Sequence, residues 1–463
     1  MRRLMFLPSR VGLTAALLPY VPLLLPAQGS LLPRPAPIQV SNEKLRVLLD
    51  PSTGGILQVT NLAKNLDLLE GLSPHPPWRI QVKGTLQPGP KTLLFSFRND
   101  SKGRHIDLRW TTTIPGLTVR AVVSALKEGT VTFQSQVLSS PGTPEISYFE
   151  YPILSGIGNL GGAGADVTLV HPVATGYSIR DPVRNAPGLP LSHPYPEAFH
   201  GCALQAWGYT ARSRGGFSLE VHDSLATAKA FPWKTCKGGL LETWIRWFPW
   251  DAGPGKGMDL SGIPVVIRAN QGDGWEEAAA AYRSWAEKQS WCARGPLWKR
   301  PAGGRIRWLE DTGLSTLGIS FRDPAQEGIF SLYRAFTGLH VLHVGGFWWP
   351  GKKPAVEWYG GYRGWHDSRL RKENLAAASQ DGDHAALWLF DLYFSTNAPS
   401  WTWRIPGDPV SPWKPYAVSP PDPPSGAWRF MCPASKTWQD LHAWREVLLQ
   451  TLYDPDAFYF DIG

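Results

Sequence analysis

Between Ile38 and Arg268 apolar residues recur at alternate positions in short runs, as in residues 44–49, 56–60 and 117–123, which is the period of half-buried strands. Turn residues separate the runs; in Asp50-Pro51-Ser52-Thr53-Gly54-Gly55 both glycines are available for positive φ. Strands at this spacing with no helical stretch between them predict a sandwich, and the length of the region predicts a large two-sheet "supersandwich". The period then changes. Trp275, Ala278, Ala279, Tyr282, Trp285 and Ala286 fall on one helical face, with Asp273 placed to cap it. Gly295-Pro296 and residues 301–304 break the chain after this bridging helix.

From Leu314 onward runs of strand and helix period alternate. The expected strands are 314–321, 339–344, 385–393 and 457–461, and the expected helices are 323–336, 369–379 and 437–453, the last with Trp438, Leu441, Leu448 and Leu452 on one face. Such βα repeats predict a parallel sheet with right-handed crossovers. Four strands make half a (β/α)8 barrel of the TIM type, the alternative being a small open α/β sheet. The expected organisation is therefore a leader at 1–29, a β-sandwich at 30–268, a bridging helix and linker at 269–300, and the barrel half at 301–463.

The first residues change the reading of charge. Met1-Arg2-Arg3, an uncharged stretch from Val11 to Pro26 and the small residues of Ala27-Gln28-Gly29 have the layout of a cleaved export signal. The stretch is shorter than a membrane span and contains Pro19 and Pro22. Removing Arg2, Arg3 and Arg10 from 46 basic residues leaves 43 against 38 acidic ones, an excess of five with no basic run. A nucleic-acid partner is disfavoured, because such partners call for a clustered positive face. The expected location is secreted or periplasmic, with no membrane association after cleavage. Four cysteines permit one or two disulfides; Cys202 with Cys236 is favoured, against buried thiols as the alternative.

The 23 tryptophans become informative through their positions. The segment after the second expected strand holds Trp348, Trp349, Trp358 and Trp365, and the one after the third holds Trp401, Trp403, Trp413 and Trp428. Segments following parallel strands form the mouth of a barrel. Indole in Pro- and Gly-rich loops there suits a platform for sugar rings, the alternative being aromatic plugs that pack the loops down. Six of these, Trp348, Trp349, Trp365, Trp401, Trp403 and Trp428, are the substrate-binding candidates. Asp461 ends the fourth expected strand and Asp391 lies in or near the end of the third. Glycosidic hydrolysis uses two carboxyl groups, so Asp461 is the candidate nucleophile and Asp391 the second catalytic candidate. His340 and His343, three apart on a strand, face opposite ways, which disfavours a shared metal. No cofactor is expected, and the fingerprints of serine hydrolases, zincins and nucleotide enzymes are missing.

Several segments together resemble a group of bacterial exported glycosidase-like proteins with a galactose-mutarotase-like sandwich and a barrel labelled a domain of unknown function. They are residues 47–57, 151–158, His171-Pro172 with Gly176, Tyr195-Pro196, residues 281–286 with Gln289 and Trp291, Phe347-Trp348-Trp349, Met431-Cys432-Pro433 with Trp438, and Phe458-Tyr459-Phe460-Asp461. The resemblance implies a distant relation to the α-galactosidase and α-glucosidase clan, whose nucleophilic Asp ends strand four and whose acid/base belongs to strand six. Only the first maps here, onto Asp461. The resulting expectation is part of an exported, retaining glycoside hydrolase acting on oligo- or polysaccharide, with little activity in this chain alone because the acid/base is missing. The alternative is a non-catalytic carbohydrate-binding or structural secreted protein.

Overall fold

The computed structural model describes residues 35–70, 75–87, 89–173, 176–185, 193–196, 201–272, 274–295, 299, 308–319, 332, 335–346, 372–390, 393–395, 428–430 and 436–461. The expected leader at 1–29 lies outside them, as do Asp273 and Cys432.

Strands form where the alternation places them, among them Leu45–Leu49, Ile56–Asn61 and Leu117–Leu126. They assemble into antiparallel sheets of nine, seven and four strands. Buried residues of all three form one contiguous apolar core, with Trp78, Trp110, Phe133, Phe149 and Trp247 among its largest members. Burial alternates along the strands, as in Leu117–Leu126, so one face of each carries the core and the other faces outward.

The turn at Asp50 shows how local chemistry and packing cooperate. Asp50 Oδ1 accepts from the backbone N–H groups of Ser52 and Thr53 at 2.7 and 3.1 Å, and Trp110 Nε1 donates to the Thr53 carbonyl at 2.7 Å. Gly54 has φ of 78°, and a Cβ there would sit 2.8 Å from the Trp110 ring, so both backbone and neighbour demand glycine. Gly55 is not in the left-handed region, contrary to expectation; it is required instead because a Cβ would meet the His75 carbonyl oxygen at 2.5 Å.

The bridging helix spans Glu276–Ala286, with Ala278 and Tyr282 buried against the sandwich. Its start is organised by Glu277, whose carboxylate accepts from the N–H groups of Gln271 and Gly272 at 2.6 and 2.8 Å. A carboxylate reaching back from the first turn satisfies N–H groups ahead of the helix, while Asp273, the expected cap, lies outside the described residues. Trp275 remains half-exposed, whereas Trp285 stacks on His222 with centroids 4.7 Å apart.

Beneath this helix lies a buried ion pair. Lys229 and Asp223 are both fully buried and 2.8 Å apart. Lys229 also donates to Gln205 Oε1 at 2.8 Å and lies 4.7 Å from the Tyr195 ring centroid. Asp223 accepts from the N–H groups of Leu225 and Thr227. Desolvation holds the ammonium pKa down to about 8 despite the facing carboxylate. Burial likewise pushes the Tyr282 phenol up to about 12.

The expected Cys202–Cys236 disulfide does not form. Cys202 is buried, its sulfur 3.9 Å from both His171 Nε2 and the His193 carbonyl oxygen, and behaves as a small core residue. His171 is fully buried, and its Nδ1 has no hydrogen-bond partner among the described residues. Desolvation, then the neighbouring His193, lowers its pKa to about 3. Below about pH 6.5 the unfolded chain takes up a proton here that the folded chain refuses, so stability falls as pH drops. The expected loss is roughly 2 kcal/mol between about pH 6.5 and 4.5. Urea melts of the native chain and a His171→Phe variant at those two pH values check this; equal acid slopes would remove His171 from the account.

After the bridging helix the chain builds a separate sheet of four parallel strands, Thr312–Ile319, His340–Gly346, His384–Phe390 and Ala457–Asp461, ordered as in the sequence. Its described helices include Lys372–Ala378 and Lys436–Tyr453. The last helix buries Leu449 and Tyr453, while Leu452 is exposed. Its buried stripe is therefore rotated by one residue from the expected line through Leu448 and Leu452.

Candidate functional site

A parallel sheet has two chemically distinct ends. Here the N-terminal ends of the strands are fastened by aspartates. Asp383 is fully buried; its Oδ1 accepts from the Val341 N–H at 2.9 Å and its Oδ2 lies 3.2 Å from His343 Nε2. One strand later, Asp456 Oδ2 accepts from the Ala385 N–H at 2.9 Å and from Ser379 Oγ at 2.6 Å. Trp308 stacks on His384 with centroids 4.0 Å apart, covering the same end. Each carboxylate joins the start of its own strand to that of a neighbour, which is a stabilising arrangement. Asp456→Ala is expected to cost about 1–2 kcal/mol, read as a lower urea midpoint.

The two histidines of the second strand separate as expected. His340 is exposed, whereas His343 is buried beside Asp383. No group of three or more His, Cys, Asp or Glu suited to a metal occurs among the described residues.

The two faces of the sheet are both apolar. One is covered by the helices: Ala385, Leu387 and Leu389 pack with Leu375, Leu449 and Tyr453, and Phe458 leans on this cluster. The other carries Val344, Ala386 and Trp388, joined by Leu342, Ala457 and Tyr459. Trp388 and Tyr459 meet edge to face at 5.1 Å. Apolar rows on both faces are characteristic of parallel strands covered on both sides.

At the C-terminal ends the register pairs Phe390 with Asp461. Asp461 is thus the last described residue of its strand, in step with Ala457 and Tyr459 along the alternation. Asp391 is the next residue after Phe390 and lies outside the described residues, as do Trp348, Trp349, Trp365, Trp401 and Trp403. Trp428 falls on the short strand Trp428–Phe430, which pairs antiparallel with Tyr393–Ser395, Ser395 opposite Trp428. The expected third strand is accordingly divided, its parallel part ending at Phe390. Ser395 and Trp428 are the described residues on either side of 396–427, and this ribbon pairs them.

The stapling role of Asp383 and Asp456 was not anticipated from sequence. The available signal was position, since each stands just before a run of strand period. No described helix is long and apolar enough to cross a membrane.

No curated protein matches the chain. Among solved structures, it is similar to α-N-acetylgalactosaminidase NagBb from Bifidobacterium bifidum. In the GalNAc complex the TM-score is 0.58 at 11% identity, covering 89% of this chain and 68% of that one. In the Gal-NHAc-DNJ complex the TM-score is 0.60 at 11% identity, covering 92% and 69%. A weaker likeness, with a TM-score of 0.45 at 11% identity, covers 92% of this chain and 64% of the GH36 α-galactosidase AgaB from Geobacillus stearothermophilus. At such identities the likeness is one of fold. Residues 263–462 match the family described as "Domain of unknown function (DUF6259)", a match that begins inside the last sandwich strand, Met258–Asn270, and takes in the bridging helix and the parallel sheet.

Proposed function

We propose that the chain carries the nucleophile of a retaining glycoside hydrolase, acting on oligo- or polysaccharide. In this reading the four parallel strands belong to a TIM-type (β/α)8 barrel and follow an N-terminal sandwich. Asp461 attacks the anomeric carbon, Asp391 is the second carboxyl assigned to the mouth, and the six tryptophans named above supply sugar platforms. The observation that carries the reading is the polarity of the sheet: the buried Asp383 and the exposed Asp456 fasten its N-terminal end, while Asp461 stands at the C-terminal end, where barrel enzymes keep their chemistry. The sequential strand order supports a barrel over a doubly wound sheet, in which the order reverses. Cleavage of an export signal at about residue 29 and a secreted or periplasmic location belong to the same reading.

The test is covalent trapping of the intact chain with fluorosugars that carry a fluoride leaving group. Fluoride departs with little help from a proton donor, so the trap reports the nucleophile alone. The panel includes galacto-, N-acetylgalactosamino- and gluco-configured α-fluorides, because the NagBb structures hold GalNAc and Gal-NHAc-DNJ. The expected result is one sugar mass added to the peptide containing Asp461. Labelling of another carboxyl, or none with any sugar, would refute the assignment.

A further inference from the structure

We propose that the solvent-facing side of the nine-stranded sheet is a separate binding site for an acidic glycan, with Arg109 and Arg120 recognising its carboxylate or sulfate groups. The registers of five adjacent strands set Leu94, Arg109, Arg120, Gln136 and Asp259 side by side in one row across the sheet. Arg109 and Arg120 are therefore directly opposite each other, and both are exposed. Like charges in that position repel.

Nothing in the described protein offsets the repulsion. Neither guanidinium forms an ion pair or hydrogen bond among the described residues. The flanking acids are directed elsewhere: Asp107 lies 3.9 Å from Arg98 Nε, and Asp259 accepts from Gln136 Nε2 at 3.0 Å and from Ser261 Oγ at 2.6 Å. Two guanidinium forks with no carboxylate of their own make a binding position for an external oxyanion, which each can hold through two parallel N–H bonds.

The surroundings favour a sugar chain as the bearer of that anion. The row lies in an open concavity of about 520 Å³ whose lining includes Ser96, Gln134 and Ser261, neutral groups suited to hydroxyls. Leu94, 65% exposed, adds an apolar ledge for a ring face. The choice of a glycan rests on the proposed carbohydrate-directed function. A nucleic acid would call for a longer basic track than one arginine pair.

Affinity electrophoresis of the intact chain in gels containing polygalacturonate, dextran sulfate or neutral dextran tests the site. Retardation is expected with the two anionic polymers and not with dextran. Arg109→Gln/Arg120→Gln is expected to weaken it about tenfold or more. Because the substitution removes a repulsion, the variant should melt no lower than the native chain, which also verifies that it folds. Unretarded native chain, an unaffected double variant, equal retention by dextran, or stronger Arg-dependent binding to polyuridylate would each overturn the proposal. Fluorosugar trapping at Asp461 is measured on the same preparations and should be unchanged by the substitutions. Trapping without retardation defeats only the glycan site, and retardation without trapping defeats only the assignment of Asp461.

Discussion

Asp223→Ala is expected to destabilise the sandwich by about 3–5 kcal/mol, the usual cost of leaving a buried charge without its partner. Lys229 has no route to solvent from its position between Asp223, Gln205 and the Tyr195 ring. Removing the carboxylate also frees the N–H groups of Leu225 and Thr227. The double variant Asp223→Leu/Lys229→Met should recover much of the loss, because apolar replacement of both partners removes the desolvation penalty with the attraction. Urea unfolding of the three proteins decides the matter. If Asp223→Ala costs no more than a surface substitution, the pair is not closed to water. If the double variant is as unstable as the single one, packing rather than charge sets the cost.

Asp461→Asn is expected to abolish fluorosugar trapping while leaving the melting temperature nearly unchanged. The informative comparison is Asp383→Asn at the other end of the same sheet. That substitution discharges a buried carboxylate paired with His343 and should cost about 1–3 kcal/mol. It should act on trapping only through the amount of folded protein. A carboxylate that serves chemistry and one that serves the fold thus give opposite patterns: activity lost with stability kept, or stability lost with activity per folded molecule kept. A melting temperature that falls with Asp461→Asn as far as with Asp383→Asn would make Asp461 a structural residue.

Much of the architecture was legible from hydrophobic period. Strand alternation from Ile38 to Arg268, the helical face of the bridging segment and the later repeats each depend on near neighbours in the chain, and strands and helices form there among the described residues, the expected helix 323–336 lying largely outside them. Strand-end placement of Asp461 was legible for the same reason, since it follows an apolar run that can only be a strand or a core helix, and the run is too short for a helix.

The tertiary structure decided whatever depends on partners distant in sequence. The bridging helix is organised by Glu277 because its carboxylate reaches two N–H groups that precede the helix. Burial at Leu449 and Tyr453, instead of Leu448 and Leu452, follows from the angle at which the last helix lies on the sheet, which periodicity alone leaves free by about one position. Cys202 is not bridged to Cys236, and its sulfur lies against His171 and the His193 carbonyl. Asp383 and Asp456 are staples because the neighbouring strand begins beside each of them. Arg109 and Arg120 read as unrelated surface charges until antiparallel register sets them face to face. The sequence by itself determined which segments become strands and helices and which strand end carries Asp461, since those depend on local period. Only the tertiary structure decided which charges are paired, buried or left facing one another, because a charge's energy depends on what the fold brings within a few ångströms of it.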